Sequence, residues 1–217
     1  MAIEIRFTTL GLAVTNAYLV GDTETKEAIL IDPVDEAETL KRMADEAGWT
    51  IRLILATHAH FDHVLASKAL KDLTGAPFYI HTDCVPMLQR LPEQGLRFTG
   101  NPFPEAATPD RLLTSQKEII ELGAIQLETL YTPGHAPGHL AFYMPSYNVV
   151  FSGDSLFAGS IGRTDLPDGN LDVLMDSIFT RLLTLPDETT VLSGHGEATT
   201  IGQEARSNPF VLSHRKK

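Results

Sequence analysis

Residues 58–63 read His-Ala-His-Phe-Asp-His, four side chains able to bind a metal ion within six positions, directly after the apolar run 51–56. A strand that ends where such a cluster begins places metal chemistry at one edge of a sheet. Chance would produce this order in roughly one in a thousand chains of the same histidine and aspartate content. Imidazole suits zinc, iron or nickel, and a carboxylate offsets the charge of a second cation nearby. In an extended or turn segment alternate side chains project the same way, so His58 and His60 converge on one ion while Asp62 and His63 turn toward another. A helical metal motif would instead place its histidines at i and i+4.

Four side chains cannot complete two coordination shells that must also admit water or substrate, so further ligands are expected downstream. His135 follows the apolar run 125–131 and the turn Thr132-Pro133-Gly134; Asp154 ends 149–154; His195 ends 191–195. Each is a ligand-type residue reached through proline or glycine from a run that reads as a buried strand. Ligands delivered from the same end of several strands meet along one sheet edge, where open α/β sheets place their chemistry.

In this order the residues resemble the metallo-β-lactamase superfamily of hydrolases over nearly the whole chain. Thr132-Pro133-Gly134-His135-Ala136-Pro137-Gly138-His139 is similar to a glyoxalase II segment, and 152–165, Ser-Gly-Asp-Ser-Leu-Phe-Ala-Gly-Ser-Ile-Gly-Arg-Thr-Asp, to the short bacterial hydroxyacylglutathione hydrolase branch. The resemblance implies an α/β fold of four αββα layers. It also implies two divalent metal ions, with zinc expected and iron or manganese as alternatives. By motif position it assigns His58, His60 and His135 to one ion, Asp62, His63 and His195 to the other, and Asp154 to a bridge between them. A water-derived hydroxide would be the second bridge, oriented by Asp62.

The implied activity is hydrolysis of a small-molecule thioester of the hydroxyacylglutathione (S-lactoylglutathione) type. One alternative is an iron-dependent persulfide dioxygenase, which shares the fold and the Gly-Arg-Thr-Asp stretch. Those enzymes typically carry Cys before that stretch, where this chain has Ile161. A lactonase or another promiscuous metallohydrolase is a further alternative. Full-length glyoxalase II enzymes carry a helical domain after the last ligand; only 22 residues follow His195 here, so weak selection for the glutathione part of the substrate is expected.

Composition narrows the partners. With 217 residues, 43% of them hydrophobic, the chain suits one domain, 1–217. A formal net charge of -11 disfavours nucleic acid as a substrate. The basic run Arg215-Lys216-Lys217 reads as a solvated tail. One cysteine, Cys84, allows no internal disulfide, and no apolar run is long enough to cross a membrane. The opening alternates like a strand rather than like a signal peptide, so a cytoplasmic protein is expected.

Strands are expected at 3–9, 16–20, 27–31, 51–56, 78–81, 118–122, 125–131, 140–144, 148–152 and 190–193. Helices are expected from a capping box at Asp35 and Glu38 to residue 47, over 63–73, from Thr82, over 171–183 and in the short stretch 201–207. Residues 92–110 read as irregular, either a substrate flap or, preferred, a packed connection. His139 is expected to hydrogen-bond behind the ligands, and His81 and His214 to have ordinary strand-end or surface roles. Asp32 reads as a turn cap or as an orienter of the ligand loop, with the cap preferred. Arg163 and Asp165 are either an ion pair or part of an anion site.

Overall fold

The computed structural model describes residues 3–215, so Met1 and Ala2 of the opening segment and Lys216 and Lys217 of the basic tail lie outside the described residues. Contacts divide the chain into two compact units. Of the described residues, one holds 3–114 with Glu121–Ile125, the other Ser115–Ile120 with 126–215.

The first unit is built on a six-stranded sheet whose spatial order follows the chain: β1 (Ile3–Leu10), β2 (Thr15–Asp22), β3 (Glu27–Ile31), β4 (Thr50–Leu55), β5 (Phe78–His81) and β6 (Arg111–Leu113). The first two pairings are antiparallel, and β3 to β6 run parallel. Parallel neighbours need crossovers. The β3–β4 crossover is α1 (Ala37–Ala47), which buries Ala37, Leu40 and Ala44 and ends on left-handed Gly48, whose N–H bonds Ala44 and Asp45 carbonyls. The expected capping box does not form. Glu36 takes the N-cap position in a left-handed conformation, φ 49°, and the Asp35 carboxylate accepts the N–H of Glu36 at 2.7 Å instead of reaching into the first turn.

The β4–β5 crossover corrects a second expectation. In place of one helix over 63–73 there are two, α2 (Phe61–Val64) and α3 (Ser67–Thr74). The Pro33 carbonyl takes the N–H of Ala66 at 3.0 Å, a bond that a continuous helix would have given to its own fourth residue back. The interruption leaves α2 as a single turn carrying Asp62 and His63.

Between β5 and β6 the chain makes a 3₁₀ turn from Thr82, then α4 (Val85–Gln89) and α5 (Leu91–Thr99). The stretch read as irregular from residue 92 is therefore helical at its start. Pro92 sits in the first turn, where its missing N–H costs nothing, and Gly100 closes the helix in the left-handed region. The rest packs as a connection: Ala107 is buried, Phe103 lies against the core, and the Ala107 N–H donates to Ser67 Oγ at 3.1 Å.

Asp110 closes the connection. Its carboxylate accepts the Phe78 N–H and the Lys71 ammonium, both at 2.7 Å, and the Lys71 bond holds its pKa below the ordinary value. A depressed folded-state pKa gives stability that is present above the unfolded value and lost as pH falls through the folded one. Asp110→Asn should therefore lower the denaturation midpoint modestly at pH 7, with the difference from wild type shrinking as pH falls through the depressed folded-state pKa. A midpoint gap independent of pH would contradict this.

The second unit's sheet has the order β14 (Thr199–Thr200), β13 (Thr190–Ser193), β10 (Val149–Gly153), β9 (Leu140–Met144), β8 (Ile125–Tyr131), β7 (Ile119–Leu122). Strands β8, β9 and β10 form an antiparallel meander, while β13 returns parallel to β10. That return contains the hairpin β11 (Leu156–Phe157) and β12 (Ser160–Ile161), then α6 (Leu171–Ser177), which widens into a π-type turn over Ile178–Leu182. Leu174, Ile178, Leu182, Val191 and Val211 make its core. Helix α7 (Ile201–Ser207) is followed by α8 (Pro209–His214), which the sequence reading missed.

Candidate metal centre

In the first unit the ligand motif leaves the end of β4 as an extended loop and enters α2. His58 and His63 are fully buried. Nε2 of His58 lies 3.0 Å from Nδ1 of His60, and Nε2 of His63 lies 3.6 Å from Oδ2 of Asp62.

Asp32 holds this arrangement, which corrects the preference for a simple turn cap. It follows β3, the parallel neighbour of β4, so it lies beside the start of the motif although 31 residues from His63. Its Oδ1 accepts the Thr57 N–H at 2.7 Å; its Oδ2 accepts the Thr57 hydroxyl at 2.9 Å and His63 Nδ1 at 2.8 Å. Having donated its proton, the Thr57 hydroxyl accepts from His58 Nδ1 at 3.0 Å. A carboxylate can only accept, so neutral His63 carries its proton on Nδ1 and presents the Nε2 lone pair, and the same holds for His58 through Thr57. One buried carboxylate thus sets two imidazoles. Thr15 in β2 does a similar service for Asp62, donating to Oδ2 at 2.8 Å.

In the second unit His135, Asp154 and His195 follow β8, β10 and β13, neighbouring strands of one sheet. Oδ2 of Asp154 stands 3.5 Å from Nε2 of His135 and 3.3 Å from Nε2 of His195. The Arg163 carbonyl, an acceptor only, takes the Nδ1 proton of His135 at 2.8 Å and turns its Nε2 lone pair toward Asp154. His139 plays the expected supporting part: Nε2 accepts the Asp154 N–H at 3.0 Å, and Nδ1 donates to Thr132 Oγ1 at 2.8 Å. Gly162 lets the following chain lie against this corner, because a Cβ there would run into the Asp154 carbonyl and the His135 ring.

These spacings fit a metal. Two donors each about 2.0–2.2 Å from one tetrahedral ion stand about 3.4 Å apart. The separations of 3.3, 3.5 and 3.6 Å match that value. Three groups of side chains could each hold an ion: His58, His60, His135; His58, His63, Asp154; and Asp62, His63, His195. Among the described residues these seven alone make up such groups, and they are the seven singled out from the motifs.

The remaining candidates have other work. Buried His81 accepts the Asp83 N–H at 3.1 Å and caps the 3₁₀ turn, and half-buried His214 contacts the Phe210 carbonyl. Cys84 is buried, and that burial first, then the Asp83 charge, pushes its thiol pKa well up, so it is no nucleophile. Arg163 and Asp165 form the ion pair, two bonds of 2.7 Å at the surface, which holds the Asp165 carboxyl down at about 2.

The sequence matches the metallo-beta-lactamase superfamily over residues 10–195. It is 44% identical over 199 residues to the hydroxyacylglutathione hydrolase GloC of Haemophilus influenzae, covering 91% of this chain and 93% of that protein. Among solved structures, the BLEG-1 B3 metallo-beta-lactamase superposes with a TM-score of 0.88 at 41% identity, over 96% of this chain and 99% of that one. TTHA1623 in a di-iron-bound form gives 0.84 at 43%, over 94% and 99%. The chain belongs to the metallo-β-lactamase superfamily, has its α/β fold, and is a metal-binding hydrolase of that superfamily. Among the described residues no helix is long and apolar enough to cross a membrane.

Proposed function

We propose that residues 1–217 form one catalytic domain in which the seven His and Asp side chains hold two divalent metal ions, and that it hydrolyses thioesters of the hydroxyacylglutathione type. The observation that carries this reading is the agreement between the three ion-holding groups and the residues assigned from this chain's motifs, in a chain 44% identical to a hydroxyacylglutathione hydrolase. His58, His60 and His135 would hold one ion, Asp62, His63 and His195 the other, and Asp154 both. Bound there, the cations supply Lewis acidity that acidifies water and polarises a carbonyl. The chain's own part is positioning. Asp32 and the Arg163 carbonyl fix the tautomers of His63 and His135, and the Thr15 hydroxyl fixes one oxygen of Asp62. The other Asp62 oxygen then orients water for attack. No serine or cysteine nucleophile is needed.

Zinc suits the five imidazoles, and the likeness to a di-iron protein makes iron its main rival. Buried Cys84, the one cysteine, fits a reducing cytoplasm. The likeness to BLEG-1, described as a B3 metallo-beta-lactamase, supports one second reading, attack on a β-lactam amide. Parallel assays with S-lactoylglutathione and a chromogenic cephalosporin on the same preparation separate the two. Turnover of the thioester at least a hundredfold more efficient is expected, and the reverse order would overturn the assignment.

A further inference from the structure

Helix α5 hydrogen-bonds to the ligand motif through Gln94. Gln94 Oε1 accepts the Phe61 N–H at 3.0 Å, while its Nε2 donates to the Ala59 carbonyl at 3.2 Å and to the Met87 carbonyl of α4 at 3.2 Å. Ala59 and Phe61 flank His60, so a single amide grips both neighbours of one ligand, 33 and 35 residues away in sequence. The grip is itself backed by packing. Phe61 stacks at 5.1 Å from Phe98 of α5 and 5.2 Å from Phe103, and the backbone of residues 101–103 lies so close to Gly95 that no Cβ would fit there. Helix α5 therefore cannot slide along the loop without breaking these contacts.

We propose that Gln94 is a positioning residue that sets the direction of His60, and that α5 with its packed connection is the brace behind it. The inference rests on the reading of His60 as a metal ligand. Around it, Asp32 and Thr57 fix the Nδ1 sides of His63 and His58, and Thr15 fixes Asp62. Gln94 acts on His60 through the peptide groups on either side of it. A neutral amide of this length accepts the Phe61 N–H on its oxygen while its nitrogen donates to two carbonyls. Met has similar length and neither function; Glu keeps the acceptor and loses the donor.

The test uses Gln94→Met and Gln94→Glu in the full chain. In metal-free protein, amide exchange at Phe61 should quicken at least tenfold in Q94M and less in Q94E, with β3 and β4 amides unchanged. In competition with a chelator, zinc affinity should fall about 10- to 100-fold in Q94M, with Q94E between it and wild type, and kcat should fall more than KM rises. Zinc affinity of Q94M within twofold of wild type would overturn the proposal. If Q94M does not fold, Q94E decides it, and wild-type affinity and exchange in Q94E would overturn it equally. Zinc content unchanged by His60→Ala would refute the ligand reading itself. The Phe61 exchange rate is read without metal and judges the brace separately.

Discussion

Asp154→Ala is expected to take bound metal from two ions per chain to one or fewer and to lower kcat/KM for the thioester by at least about a thousandfold, equivalent to about 4 kcal/mol of transition-state stabilisation. The expectation comes from the place of its carboxylate, 3.5 Å from the His135 ring and 3.3 Å from the His195 ring, in a buried corner. On the proposed reading, removing it would take away a ligand and the negative charge that would let two cations lie close together. The backbone bond from Asp154 to His139 does not use the side chain, so the loop should keep its course. His81→Ala is the contrast. His81 is buried as well but caps a 3₁₀ turn and belongs to none of the ion-holding groups, so its loss should cost about 1–2 kcal/mol of stability and leave both ions bound. Equal loss of metal in the two folded variants would show the ligand set to be misread.

Asp32→Asn should have the second largest effect. Three donors converge on that carboxylate: the Thr57 N–H, the Thr57 hydroxyl and His63 Nδ1. An amide of the same shape offers one acceptor oxygen and presents its own N–H groups to the remaining donors. Zinc affinity should drop about 10- to 100-fold, as the imidazoles lose the partners that fix their tautomers. Stability should fall by about 2–4 kcal/mol from the buried donors left without an acceptor. Asn is the right probe because residue 32 has φ 59°, a conformation that Asn tolerates and Ala does not favour. Metal affinity and denaturation midpoint both at wild-type values in Asp32→Asn would contradict the role given to this residue.

What the sequence made legible follows a physical line. Strands β3, β5, β8, β9 and β13 have the expected bounds because each is a run of four to seven residues, mostly apolar or β-branched, ended by a turn residue. Strands β6, β11, β12 and β14 are two or three residues long, too short to show a period. The helix expected over 63–73 failed for a tertiary reason, the Pro33 carbonyl capturing the Ala66 N–H, which no local pattern reports. Likewise α5 was hidden by its own proline, which marks a helix start as readily as a loop.

The candidate ligands were readable because each follows an apolar run and because four of them share one hexapeptide. Their supports were not. Asp32 and Gln94 act 31 and 33 residues away from the atoms they hold, and each looked like an ordinary turn or loop residue. A partial signal existed for Asp32, which ends the strand beside β4 and so must lie next to the motif once the parallel pairing is granted. Gln94 had none, since its role depends on how α5 packs.

The central claim, a two-metal thioester hydrolase, is tested most directly by metal analysis of protein purified without added metal, with thioester hydrolysis and persulfide-dependent oxygen uptake measured on the same sample. Two ions per chain, hydrolysis of S-lactoylglutathione and no oxygen uptake are predicted. One iron per active chain, with oxygen uptake and no hydrolysis, would contradict it.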